Sequence, residues 1–221
     1  MSNLEQKLSQ LIQPGQRIYV AGSSNEPTGL LNAMAEVDLP ANLEFIQFPL
    51  PGLNGTDFTS WNATATLTTF FMTATLAKAD LARVNYLPMQ MRAVFDYLTH
   101  NVDVYLLQVA KDANGVLRLG PNVDFHAGVM QSAKVIIAEL NSAFVSPTTA
   151  TQVDPTQIDY LINSNRSLTA MPTPKIDDAA LKIGALVAQL VADGDCLQTG
   201  IGAIPAAILA QLKDKNDLGL H

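Results

Sequence analysis

The chain has 221 residues, 48% of them hydrophobic and 15% charged, with a formal net charge of −7. That composition excludes disorder, and a domain of this length buries roughly 70% of its unfolded surface without a disulfide or metal staple. Its 13 Lys and Arg residues form no run, which excludes the clustered basic face that nucleic acid requires.

The opening Met1-Ser2-Asn3-Leu4-Glu5 lacks a basic segment followed by an apolar core, so no signal peptide is read. Arg17–Gly22 predicts a buried strand after the turn Pro14-Gly15, and Pro27–Val37 a helix. Leu43–Pro49 is a second strand. Pro49–Asn62 is rich in Gly, Pro, Asn and Thr and reads as a long irregular loop. Ala65–Lys78 is expected to be helical, Arg83–Leu87 a strand, Met89–Thr99 a helix and Val102–Val109 a strand. Val123–Ser132 (helix) and Lys134–Leu140 (strand) follow. Asn141–Pro174 carries prolines, Ser and Thr and is read as an irregular connector around a short helix near Pro155–Asn163. Asp177–Ala192 and Ile204–Lys213 predict two further helices flanking the strand Asp195–Thr199. Strands alternating with helical patterns predict an α/β fold with an open, largely parallel sheet flanked by helices. We expect a single domain over residues 1–221. No apolar stretch approaches the ~20 residues of a membrane span. With the single cysteine, Cys196, expected to be buried and inert, the expectation is a soluble cytoplasmic protein without membrane partners.

Several polar positions invite a chemical reading. Ser23-Ser24-Asn25-Glu26-Pro27 follows the first strand and is either an N-cap or a pocket edge at the C-terminal ends of parallel strands. His126 and His100 are read as capping or structural, and no His/Cys/Asp cluster has metal-ligand spacing. The strongest segment runs helix, Asp193-Gly194 turn, strand, Gly200-Ile201-Gly202, helix, with Pro205 suited to the last helix's first turn. Glycines between a strand and a helix N-terminus let backbone N–H groups approach an anion or a polarised carbonyl, and the helix dipole assists. The missing third glycine argues against a dinucleotide fingerprint. Two readings stay open on the residues alone: a tight turn needing glycine for steric reasons, or a ligand site.

The segment Asp193-Gly194-Asp195-Cys196-Leu197-Gln198-Thr199-Gly200-Ile201-Gly202-Ala203-Ile204-Pro205, with Asp217-Leu218-Gly219-Leu220-His221 after it, resembles the signature of the acetyl-CoA hydrolase/transferase family. A second stretch, Asp103–Ala110 through Ala133–Asn141, resembles the same family in outline. The resemblance implies the CoA-transferase type of α/β fold and the N-terminal half of such an enzyme. It also implies a glutamyl-CoA thioester mechanism, with acyl-CoA and a small carboxylic acid as substrates and no permanently bound cofactor. It implies CoA contacts at Gly200, Ile201, Gly202, Ala203 and Ile204. The family's nucleophilic Glu follows the Leu-Gly-Ile-His stretch almost at once, so it is expected just beyond His221, with no catalytic residue and no activity in this chain alone. Members are commonly homo-oligomers. After Leu140 this chain has Asn141-Ser142-Ala143-Phe144-Val145-Ser146-Pro147, without the arginine and glycine that many members carry there. That departure leaves acyl specificity open, and the choice of hydrolase or transferase with it. A phosphate-binding isomerase or deaminase of related architecture and a non-catalytic CoA-sensing module are the alternatives. The first would need a catalytic acid grouped with Lys or His, which the sequence does not supply.

Overall fold

The computed structural model describes residues 3–220, which divide into two compact units at the Ala170–Met171 boundary. The first unit opens with helix α1 (Asn3–Leu11), which closes on the core through Leu8, with Ile12 just after it. Strand β1 (Arg17–Val20) leads through a 3-10 turn to helix α2 (Thr28–Ala35). Strands β2 (Glu44–Gln47), β3 (Thr66–Thr69) and β4 (Val84–Tyr86) follow, then helix α3 (Met91–Leu98). The antiparallel pair β5 (Val104–Lys111) and β6 (Leu117–Leu119) precedes helix α4 (His126–Val129), strand β7 (Val135–Asn141) and strand β8 (Tyr160–Ser164).

These strands make an eight-stranded sheet in the order β4-β3-β2-β1-β5-β7-β8, with β6 attached to β5. Every pairing in it is parallel except β5 with β6. β1, β2 and β5 are almost wholly buried, as near-continuous apolar runs in a sheet covered on both faces must be. Their side chains feed two apolar clusters. One, around Ile18, Leu30, Phe45, Phe58 and Leu106, packs with α1 and α2; the other, around Tyr19, Val94, Tyr105, Leu107 and Val129, packs with α3 and α4.

Two expectations of secondary structure are corrected. Ala65–Lys78 is not a helix: Thr66, Thr68 and Thr69 enter β3, where β-branched side chains suit a pleated surface, between β2 and β4. The helix expected near Pro155–Asn163 is a 3-10 turn at Pro155–Gln157 and then β8, whose burial alternates residue by residue along the sheet edge.

The second unit holds helix α5 (Asp178–Ala188), strand β9 (Cys196–Leu197), helix α6 (Ala203–Ala210) and strand β10 (Gly219–Leu220). Asp177 caps α5, its side chain accepting from the Ala180 N–H at 2.8 Å. Gly184 allows the two helices to close together: a Cβ there would stand 2.8 Å from the Ala207 backbone. β9 pairs in parallel with β10, a two-stranded sheet apart from the main one. Cys196 is exposed, not buried as expected, because a two-stranded sheet leaves its outer positions uncovered. No helix among the described residues is long and apolar enough to cross a membrane.

Candidate functional site

The chain leaves β1 toward β2, β3 and β4, then returns to lay β5 on the other flank of β1. Strand order therefore reverses between β1 and β5, where Tyr19 faces Tyr105 in register. In open α/β sheets ligands bind outside the carboxyl ends of the strands at such a reversal.

The segment after β1 occupies that position. Ser23 sits in the left-handed region at φ 56, a strained conformation for serine. Asn54 holds it there: its Oδ1 accepts from the Ser23 N–H at 2.7 Å, and its Nδ2 donates to the Ser23 carbonyl at 3.1 Å. The irregular Pro49–Asn62 loop thus docks on the turn through Asn54, and its other end is anchored by Phe58 and Trp61 packed on Phe45. Glu26 is buried and accepts from Gln47 Nε2 at 2.9 Å. Burial pushes its carboxyl above the usual range, against the hydrogen bonds of Gln47 and Asn54.

Beneath this turn lies a charged cluster that local sequence does not reveal. Arg166, just past β8, donates from Nε to Glu139 Oε1 at 2.7 Å and from Nη2 to both the Glu26 carbonyl (2.9 Å) and Gln108 Oε1 (2.8 Å). Glu139 also accepts from the Leu30 N–H in α2 and from Ser164 Oγ. The arginine expected after Leu140 is missing, yet an arginine enters the sheet's carboxyl end from the connector.

Beside Ser23 opens a cavity of about 240 Å³, lined by Phe48, Leu50, Met91, Val123 and Phe125, with Asp124 as its one charged residue. Asp124, at φ 47, accepts from the Tyr19 hydroxyl at 2.5 Å and from the Gly22 N–H at 3.1 Å. Burial raises its carboxyl from the ordinary 3.8 to about 6, opposed by those two hydrogen bonds and one from Phe125 N–H. Burial, then the neighbouring Asp124 charge, also raises the Tyr19 and Tyr105 hydroxyls. Among the described residues the buried Tyr105 hydroxyl and His126 Nδ1 have no hydrogen-bond partner, and their rings lie 5.8 Å apart. His126 begins α4 behind the cavity, and burial lowers its pKa. His100 is exposed after α3, against Thr99 Oγ1, as a structural residue would be.

Between pH 3.8 and about 6 the folded chain holds a proton on Asp124 that the unfolded chain has released. The stabilising contribution is therefore complete below the unfolded value and lost as pH rises through the folded one. Asp124→Asn keeps an oxygen for Tyr19 and Gly22. At neutral pH it is expected to raise stability by about 1–3 kcal/mol, an advantage that vanishes toward pH ~4. Urea unfolding of parent and variant across that range checks this, and parallel pH profiles would contradict it.

The glycine turn belongs to the second unit. Residues 198–202 leave the carboxyl end of β9 and enter α6, for which Gly202 is the N-cap at φ 136, ψ −176. That φ disfavours any side chain, whereas Gly200 has an ordinary φ and open space around its missing Cβ. The first N–H groups of α6, at Ala203 and Ile204, have no partner within the helix, and Pro205 contributes none. Gly200, Ile201 and Ile204 are exposed, and Gly202 and Ala203 half-buried. A cavity of about 190 Å³ adjoins the turn, lined by Val187, Val191, Leu197, Gly200, Pro205 and Ile208. Among the described residues no group of His, Cys, Asp and Glu is placed to hold a metal ion.

No protein-family model matches the chain. It is 30% identical over 218 residues to the 4-hydroxybutyrate coenzyme A transferase of Clostridium kluyveri, covering 95% of this chain and 50% of that protein. To the succinyl-CoA:acetate/propanoyl-CoA:succinate CoA transferase of Fasciola hepatica it is 26% identical over 220 residues, or 95% of this chain and 45% of the relative. Among solved structures, RipA from Yersinia pestis superposes with a TM-score of 0.85 at 25% identity over 100% of this chain and 55% of that one. A 4-hydroxybutyrate CoA-transferase from Porphyromonas gingivalis shares the fold, with a TM-score of 0.70 at 21% identity over 100% of this chain and 53% of its own.

Proposed function

Because the chain belongs to the CoA-transferase family and spans about half the length of the relatives it matches, we propose that it is the N-terminal, CoA-binding half of an enzyme that moves CoA between an acyl-CoA and a short carboxylate. The observation that carries this reading is the Gly200–Ile204 turn. It joins the carboxyl end of a strand to a helix N-terminus beside an apolar cavity, which suits a thioester with an uncharged arm.

In the proposed reaction a glutamate outside these 221 residues attacks the acyl-CoA carbonyl. The C–S bond breaks, CoA leaves as thiolate and an acyl-glutamyl anhydride remains. The thiolate then attacks the glutamyl carbonyl, releasing the free acid and leaving a glutamyl-CoA thioester. An incoming carboxylate reverses the sequence and departs as the new acyl-CoA. Splitting one acyl transfer into such steps is nucleophilic catalysis by carboxylate. The N–H groups of residues 200–204 stabilise the oxyanion of each tetrahedral intermediate, as preorganised donors do. On this reading the protein works in the cytoplasm as a homo-oligomer, with acyl-CoA and a small carboxylic acid as its partners.

The test is exchange by the full-length protein. Acetyl-CoA mixed with propionate or butyrate is expected to yield the new acyl-CoA and free acetate in equal amounts. Acetate and free CoA without new thioester would reassign the protein as a hydrolase, and no turnover would overturn the enzyme reading.

A further inference from the structure

The cavity beside Ser23 has a composition that selects among acids. At about 240 Å³ it lies below the roughly 300–1,000 Å³ of sites for drug-sized ligands, so it fits a chain of a few carbons and not a nucleotide. Its walls, Phe48, Leu50, Met91, Val123 and Phe125, are apolar; Ser23 and Asn122 are neutral, and among the described residues no Lys, Arg or His lines it. Arg166 is engaged by Glu139, Gln108 and the Glu26 carbonyl and is not among the lining residues. The single ionisable group is Asp124, held in place by the Tyr19 hydroxyl and the Gly22 N–H. The site stands at the reversal of strand order between β1 and β5, the position where the fold's geometry favours a ligand.

We infer that this cavity receives the uncharged far end of a monocarboxylic acid or its acyl group, and that Asp124 is the specificity-determining residue that turns away acids bearing a second carboxylate. The inference rests on the CoA-transferase reading for its substrate class and deepens it. An apolar tail gains burial against the Phe48 and Val123 side chains. A second carboxylate would instead be desolvated, unpaired and beside a like charge, each of which penalises it. A far-end hydroxyl is admitted, since the Asp124 carboxylate accepts a hydrogen bond.

The experiment titrates butyrate and succinate separately into the full chain at neutral pH and follows the NMR methyl signals of Met91 and Val123. Butyrate is expected to perturb them with a Kd lower than that of succinate by about tenfold or more, the effect of one like-charge contact. Asp124→Asn is expected to close most of that gap. So is Met91→Lys, at a rim position that is 65% exposed and so spares the fold if Asp124→Asn does not. Equal affinities in the parent, a gap unchanged in both variants, or no perturbation by either acid would overturn the inference. Exchange by the full-length protein reports on the parent reading separately. An active enzyme whose preference ignores Asp124 sinks only this assignment, and an inactive one sinks the transferase itself.

Discussion

Arg166→Met is expected to cost about 3–5 kcal/mol of unfolding free energy, because it strands a buried carboxylate. The Glu139 side chain is fully buried and that of Arg166 is 21% exposed, so water can replace little of the lost interaction. The substitution also removes a donor from the Glu26 carbonyl and from Gln108 Oε1, loosening the turn after β1. Glu139→Gln made together with Arg166→Met is expected to recover part of the loss, since a neutral amide is easier to leave buried than an unpaired charge. Urea unfolding of the parent, both single variants and the double variant measures this. A cost below about 1 kcal/mol for Arg166→Met would mean that the pair is screened as a surface ion pair is.

Gly200→Val is expected to lower acyl exchange by the full-length protein about a hundredfold or more, the usual consequence of disturbing one oxyanion donor. It is expected to leave the melting temperature nearly unchanged. Gly200 is the informative position because its φ is ordinary and nothing lies within 4 Å of its missing Cβ. Gly202, at φ 136, conflates two effects: a side chain there strains the backbone by about 1–3 kcal/mol whatever the turn binds. If the Gly200→Val protein melts normally and turns over normally, the exposed glycine serves only the chain's path.

What the sequence disclosed was local. Apolar runs such as Val102–Val109 and Lys134–Leu140 marked buried parallel strands, and the Gly200–Pro205 segment marked the strand-to-helix turn. What it concealed had two causes. Composition misled at Ala65–Lys78, where Ala and Leu evoke a helix but the threonines pack between β2 and β4. Prolines around Asn141–Pro174 likewise hid the period-two alternation of β8. The second cause is distance along the chain. Glu26 was visible as the acid after β1, but Arg166, Glu139 and Gln108 meet it only because β1, β5, β7 and β8 lie side by side. Asp124 lies within the second stretch that resembles the family, but its place in the site was not legible there, because it comes from Tyr19 and Gly22, which approach across the sheet.

The most direct measurement is the intact mass, with peptide mapping, of full-length protein incubated with acetyl-CoA and no acceptor acid. The expected product is an adduct of one CoA less one water, joined as a thioester to a single glutamate beyond residue 221. It is accompanied by an equal amount of free acetate and discharged when propionate is added. Turnover without any covalent CoA, or CoA attached to a residue within this chain, would contradict it.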